Sequence, residues 1–240
     1  MKLACASGAL DSSFVGGDLT QLEFLDLCAH ELACDGVVLD VRHFPRTDSD
    51  YLAQVKKMAA DRGLTIAALA EAAFFGFEQA RMAQTFEVAA AIGAPLVAGE
   101  LVAETGAPWS EQLAKLNAAT SLAKSFNVTL ALRNAAGTFA GSTHDCKRVT
   151  KEADSAWLRF GPRPSAFGPA DDPSQLAPNT VLLWSGASLA GERSIAETLH
   201  RFPEFRGHLA VDAFGDHLDV AAVRATLRAW RAALASLDRT

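Results

Sequence analysis

Ionisable side chains in this chain repeatedly stand at the end of a short apolar run. Asp40, Arg42 and His43 close or follow Val37–Val41, Glu71 follows Leu64–Leu69, and Glu100 follows Pro95–Ala98. Arg133 and Asn134 come after Val128–Leu132, Gly161 and Arg163 after Trp157–Phe160, Trp184 and Ser185 at the end of Val181–Trp184, and Asp212 after Leu209–Val211. Opposed carboxylates such as Glu71 and Glu100 can act as acid and base of a proton transfer when their surroundings separate their pKa values. They are equally suited to be partners of nearby arginines or solvated rim groups. His43 could shuttle protons near neutral pH, or sit hydrogen-bonded at a rim. Arg42, Arg133 and Arg163 could form an anion-binding mouth, because guanidinium forks grip carboxylate or phosphate oxygens in pairs. Their plainer role is to pair with neighbouring carboxylates. His217 follows Asp212 closely, with Asp216 between them, and could reach the same place; Asp216 and Asp219 would serve as well as helix caps. No Ser/His/Asp or Cys/His nucleophile set emerges from the spacing.

These residues need a scaffold, and the alternation of runs supplies one. Strand-length apolar runs begin at Lys2–Ser7 and alternate with segments of helical period. Asp18 and Gln21 read as the cap of a first helix whose apolar positions are Leu22, Leu25, Ala29 and Leu32. Leu52, Val55 and Ala59 mark a helix stopping at Gly63, and Phe77–Ile92 one stopping at Gly93, where a left-handed residue costs least. Leu113, Leu116 and Ala123 mark a helix ended by Asn127, and Thr143–Ala153 a weaker one. Ser194–Phe202 follows, and a last helix buries Val223, Leu227, Trp230, Leu234 and Leu237. Eight strands alternating with helices is the (β/α)₈ count, expected here as one domain over residues 1–240. Ser7-Gly8-Ala9-Leu10 is not the glycine-rich phosphate turn of an open doubly wound sheet. In Gly161–Pro178, Pro162, Pro164, Pro169, Pro173 and Pro178 replace most of the sixth barrel helix. A barrel carries its ligand site at the C-terminal ends of its strands, where the ionisable residues fall.

Composition narrows the class. Of 240 residues, 50% are apolar and 21% charged, with a net charge of −6. That is too apolar for disorder and lacks the basic footprint of a nucleic-acid binder. The N-terminus does not read as a signal peptide, and no run is long enough for a membrane helix. Cys5, Cys28, Cys34 and Cys146 show no CxxC spacing, so reduced thiols in a cytoplasmic protein are expected, with Cys5 a small core side chain.

The stretch Cys34-Asp35-Gly36-Val37-Val38-Leu39, then His43-Phe44, Tyr51-Leu52 and Ala59-Ala60-Asp61-Arg62-Gly63-Leu64-Thr65-Ile66, resembles the first third of the xylose-isomerase-like sugar isomerase/epimerase barrels. Ala90-Ala91-Ile92-Gly93-Ala94-Pro95 before the fourth strand is similar too. The resemblance implies a TIM barrel of carbohydrate metabolism whose mouth holds a divalent cation. Its ligands would be a Glu after the fifth strand, an Asp after the sixth, a His after the seventh and a Glu after the eighth. Here those positions hold Arg133, Gly161, Trp184 and Asp212, so only Asp212 keeps a carboxylate. A guanidinium stays protonated at any working pH and would repel a divalent cation. The expectation is therefore a degenerate metal site and no cofactor, with Arg133 paired to Asp212 in the electrostatic place of the metal.

On this reading Glu71, Asp212 and His43 are the proton-transfer candidates. Arg42, Arg133, Asn134, Glu100 and Trp184 are expected to contact the substrate, and Trp184 would either stack on a sugar ring or plug the space of the lost metal. Phe74-Phe75-Gly76-Phe77 reads as packing at a helix start rather than a lid. The expected partner is a small molecule, a sugar, sugar acid or sugar phosphate; self-association is compatible with the reading, and nucleic acid and membrane are not. The alternative is a non-catalytic barrel retaining a ligand pocket or a protein-interaction surface.

Overall fold

The computed structural model describes residues 1–186, 195–215 and 218–237. Its strands are β1 (Lys2–Ala6), β2 (Gly36–Asp40), β3 (Thr65–Ala70), β4 (Leu96–Glu100), β5 (Thr129–Arg133), β6 (Leu158–Phe160), β7 (Leu182–Gly186) and β8 (His208–Asp212). Between and after them run α1 (Asp11–Gly16), α2 (Gln21–His30), α3 (Ser49–Asp61), α4 (Gln79–Ile92), α5 (Trp109–Phe126), α6 (Thr143–Ala153), α7 (Ile195–Arg201) and α8 (Val220–Leu237). Every strand pair is parallel, in the order β6-β5-β4-β3-β2-β1-β8-β7. The two end strands meet through Val181 N–H donating to the Phe160 carbonyl (2.9 Å) and Trp184 N–H donating to that of Pro162 (3.0 Å). The result is the (β/α)₈ barrel that the strand count implies. No helix among the described residues is long and apolar enough to cross a membrane.

Local chemistry sets the element ends, with some differences from the sequence reading. The cap of α2 is Thr20 with Glu23, not Asp18 with Gln21: the Glu23 N–H donates to Thr20 Oγ1 (3.3 Å) and the Thr20 N–H to Glu23 Oε2 (2.9 Å). A hydroxyl followed three residues on by a carboxylate satisfies both orphan donors at once. The buried stripe of α2 is accordingly Phe24, Leu25 and Cys28. Gly93 and Asn127 end α4 and α5 in the left-handed conformation, as their positions imply. Between β6 and β7 the chain makes only 3₁₀ turns at Pro164–Ala166 and Pro173–Asn179, so the proline-rich stretch replaces a helix. Ser194 lies outside the described residues.

Two apolar layers hold the barrel. The larger packs strands against helices and includes Leu3, Phe24, Leu39, Phe74, Phe75, Phe86 and Trp230; Phe74 and Phe75 are packing residues. The smaller fills the barrel interior and is built largely of alanines (Ala4, Ala6, Ala68, Ala70, Ala98, Ala131, Ala210) around Trp184. Alanines leave room at the centre of an eight-stranded barrel, and one indole takes it.

Candidate functional site

The last residues of the strands surround a cavity of about 370 Å³. Ala6, Val38, Ala70 and Ala72 supply its apolar wall, while Asp11, Asp40, Glu100 and Asp212 face it together with Arg42, Arg133 and Arg163. Four carboxylates and three guanidinium groups thus share one small space.

Arg133 ties one side together. It ends β5 in register with Glu100 of β4, so the two side chains are cross-strand neighbours. Arg133 Nε donates to Glu100 Oε1 (2.7 Å), and Arg133 Nη1 lies 3.6 Å from Asp212 Oδ2. The expected pairing with Asp212 is present, but Glu100 is the closer partner. Both ends of the Asp212 pair are withdrawn from solvent, at 12% and 13% side-chain exposure. Beneath, the guanidinium lies over the indole of Trp184 (5.1 Å) and the ring of Phe214 (5.5 Å), whose ring also carries Arg163 at 3.9 Å. Burial pushes the Asp212 carboxyl above the usual range, opposed by Arg133 and by the Ala213 and Phe214 N–H groups. Asp212 Oδ1 presses against Gly8, where a Cβ would come within 2.6 Å of it; this is why residue 8 carries no side chain.

On the other side stands a closed ring of hydrogen bonds and ion pairs that the sequence did not disclose. Ser7 Oγ lies 2.8 Å from His43 Nδ1, and His43 Nε2 lies 2.9 Å from Asp11 Oδ1. Arg42 reaches Asp11 (3.3 Å) and grips Asp40 through Nε (3.1 Å) and Nη2 (2.9 Å). The Asp40 N–H returns to Ser7 Oγ (2.9 Å). A hydrogen-bonded Ser/His/Asp constellation is present, though not as a nucleophile set. Two segments, 7–11 and 40–43, bring it together, because β1 and β2 are neighbours and the chain after β1 folds back as α1. Ser7 is fully buried, so its oxygen orients the imidazole and is closed to substrate. Phe14 stacks on that imidazole at 4.0 Å, and the His43 side chain is 3% exposed.

The remaining sequence candidates divide. Arg42, Arg133, Glu100 and Asp212 line the cavity. His43 stands behind its wall and reaches it through Asp11. Glu71 is buried and outside the lining, its carboxyl raised by burial and then by Asp40. Asn134 is buried and locks the Arg163 backbone, accepting from its N–H (2.7 Å) and donating to its carbonyl (3.2 Å). Trp184 is fully buried and absent from the cavity wall, so it plugs the barrel instead of offering a face to a ligand. Asp216 and His217 lie outside the described residues. Sequence reasoning missed Asp11 and Phe214 on the cavity wall; the only available signal for either was position shortly after a strand end. At the ends of β5, β6 and β8 stand Arg133, Gly161 and Asp212, and no group of three or more His, Cys, Asp or Glu among the described residues is placed to hold a metal ion.

No family model matches the chain, and no curated protein matches it in sequence. Solved structures do match. An L-ribulose 3-epimerase superposes with a TM-score of 0.75 at 15% identity, covering 99% of this chain and 97% of its own. A xylose isomerase domain protein from Alicyclobacillus acidocaldarius superposes at 0.75 with 16% identity, covering 98% of each chain. The probable 3-DHS dehydratase AsbF of petrobactin synthesis from Bacillus anthracis superposes at 0.73 with 14% identity, covering 95% of this chain and 98% of its own. With superpositions over nearly the whole of both chains at such low identity, the chain has the fold of the xylose-isomerase-like TIM barrels.

Proposed function

We propose that this barrel binds a sugar or sugar-derived small molecule in the cavity ringed by Asp11, Asp40, Glu100, Arg133 and Asp212, and acts on it without a divalent cation. The observation that carries the reading is the Glu100–Arg133–Asp212 chain. The residues present do not fit a divalent ion at those strand ends: a guanidinium Nη stands 3.6 Å from the one carboxylate that remains of the expected ligand set. Arg133 is a fixed cation there, and its donors can polarise a substrate carbonyl or hydroxyl oxygen without a reorganisation cost. Asp212, pushed towards its protonated form by burial, is the proton donor beside it. Asp11, held by His43 and Arg42, is the second proton-transfer group, and His43 acts through it as a positioning residue. Hydroxyls find donors and acceptors alternating around the wall, and an acidic substituent meets the guanidinium groups. The structural neighbours named for an epimerase and an isomerase domain lend support; the neighbour named as a probable dehydratase shows that the fold alone does not choose the reaction.

The experiment is direct. Metal content of tag-free protein is measured, then thermal unfolding with manganese, magnesium, cobalt or zinc, and with a panel of neutral sugars, sugar acids and sugar phosphates. No metal and a concentration-dependent stabilisation by one sugar class is the expected result. A stoichiometric metal, or stabilisation by a metal ion alone, overturns the cation-free reading, and silence across the whole panel overturns the sugar reading. A bound sugar kept in D₂O with the protein then separates catalysis from binding. Exchange of a carbon-bound hydrogen for deuterium, lost in Asp212→Asn, marks an isomerase or epimerase. Binding without exchange favours the second reading, a non-catalytic ligand-binding barrel, for which the observation is the mutual neutralisation of Arg133 and its two carboxylates.

A further inference from the structure

Three of the four cysteines lie together, away from the cavity. Cys28 is buried on α2, Cys5 is buried on β1, and Cys34 is half-buried in the loop entering β2. Cys5 and Cys34 both neighbour the Cys28 thiol closely enough to act on its ionisation. The turn that brings Cys34 back is held on every side. Ala33 adopts a left-handed conformation (φ 52°), which a residue with a Cβ takes at a cost. The Cys34 N–H donates to the Cys28 carbonyl (2.8 Å). Asp35 N–H donates to the Leu3 carbonyl (2.9 Å), while Asp35 Oδ2 accepts from Leu3 N–H (2.8 Å). Arg231 donates to the Ala33 carbonyl. A strained backbone kept in place by contacts at both flanks points to a required arrangement of the residues beside it. Cys146 is the internal contrast: buried, apart from the other three, with its thiol on the Ala140 carbonyl at 3.6 Å.

We infer that Cys34 and Cys28 form a peroxide-responsive dithiol, Cys34 as the attacking thiol and Cys28 as the resolving one. Cys34 is the member of the trio that solvent reaches. Its thiolate attacks one peroxide oxygen; an S–O bond forms, the O–O bond breaks, and hydroxide leaves with the thiol proton as water. The sulfur is now a sulfenic acid. Cys28 sulfur then attacks Cys34 sulfur, an S–S bond forms, the S–O bond breaks, and the hydroxyl leaves with the Cys28 proton as a second water. Two thiols and one peroxide thus give one disulfide and two waters. Burial pushes the Cys28 thiol well up, which makes the second step slow and speeds it as pH rises. Cys5 lies deeper, its thiol on the Ala6 carbonyl (3.5 Å), and takes no part.

The test treats the intact chain with hydrogen peroxide at neutral and mildly alkaline pH, alkylates it, and maps peptides without reduction. The expected product is one intramolecular disulfide joining the peptides of Cys28 and Cys34, with Cys5 and Cys146 still free thiols. It forms faster at the higher pH, disappears in Cys34→Ser, and persists in Cys5→Ala and Cys146→Ser. Circular dichroism confirms that each variant is folded, and Cys34→Ser, at a half-buried loop position, is the one on which the conclusion rests. A Cys34 that runs to sulfinic acid while Cys28 stays reduced, a Cys5–Cys28 link, or four unmodified thiols would each overturn the assignment and leave the trio as core packing.

Discussion

Replacing Arg133 with methionine removes the charge while keeping most of the side chain's bulk over Trp184 and Phe214. In the native barrel the guanidinium sits 2.7 Å from Glu100 and 3.6 Å from Asp212. At an effective dielectric near 20 the Asp212 pair alone is worth about 4–5 kcal/mol of attraction, most of it offset by desolvation. What the substitution exposes is the other side of that balance, two carboxylates left in one pocket without their nearest countercharge. Breaking a buried pair costs about 3–5 kcal/mol; Glu100 is 29% exposed, which lowers the expectation to about 2–4 kcal/mol at pH 7.5. The loss depends on pH with a definite sign. Asp212 already has a raised pKa in the folded state, so the native chain holds more protons than the unfolded one between the ordinary carboxylate range and that raised value. Stability from this group is present at low pH and lost as pH rises through the folded pKa. Without Arg133 that pKa climbs further, so the deficit of the variant shrinks as the solution is acidified towards pH 5. Urea unfolding of Arg133→Met, Arg133→Lys and the parent at both pH values measures it. The lysine variant, which keeps a charge, falls between the others. A deficit of the same size at both pH values would refute the reasoning and assign the role of Arg133 to packing.

Further outcomes follow from single positions. Gly8→Ala puts a Cβ within 2.6 Å of Asp212 Oδ1, so it lowers stability by about 1–3 kcal/mol and displaces the carboxylate, with loss of sugar-induced stabilisation in thermal unfolding. Ala33→Gly removes the left-handed strain at φ 52° and raises stability by about 1 kcal/mol, some 2–4 °C in midpoint; a fall would show that the turn is not strained. His208 is half-buried at the entrance of β8, with a buried, unpaired Nε2 and its pKa lowered chiefly by burial. The unfolded chain therefore takes up a proton below about pH 6.5 that the native chain refuses, so stability declines with falling pH from there. His208→Gln removes that part of the acid slope in urea titrations, and an unchanged slope would assign it elsewhere.

The barrel was legible because buried parallel strands are continuous apolar runs, and Val37–Val41 or Val128–Leu132 need no partner to be recognised. The strand ends were less so. A reading by hydropathy stops at the last apolar residue, whereas the ladder runs on through Glu100 paired with Arg133 and through Gly186 paired with Asp212. Glu100, Arg133 and Asp212 on the cavity wall are the last rungs of the sheet, which fixes their directions better than a loop would. The ring of Ser7, His43, Asp11, Arg42 and Asp40 was not legible at all. Its members are joined by the adjacency of β1 and β2 and by the fold-back into α1, and neither leaves a spacing in the sequence. The cap at Thr20 was legible in principle, since a hydroxyl three residues before Glu23 was there to be seen.

Trp184 and Arg133 are best understood as one unit. An interior lined by alanines needs a large side chain at its centre, and an indole there presents a π face upward. That face stabilises a guanidinium lying 5.1 Å above it, and the guanidinium in turn needs carboxylates beside it, which Glu100 and Asp212 supply. Taken singly each residue is costly: the indole leaves Nε1 without a partner, the arginine is a charge withdrawn from water, and Asp212 is a carboxylate under burial. Together they offset one another, and the barrel holds a permanent positive charge where the resemblance leads one to expect an ion that comes and goes. A charge fixed by the chain cannot be removed by chelation, and its strength is set by how the carboxylates around it share protons.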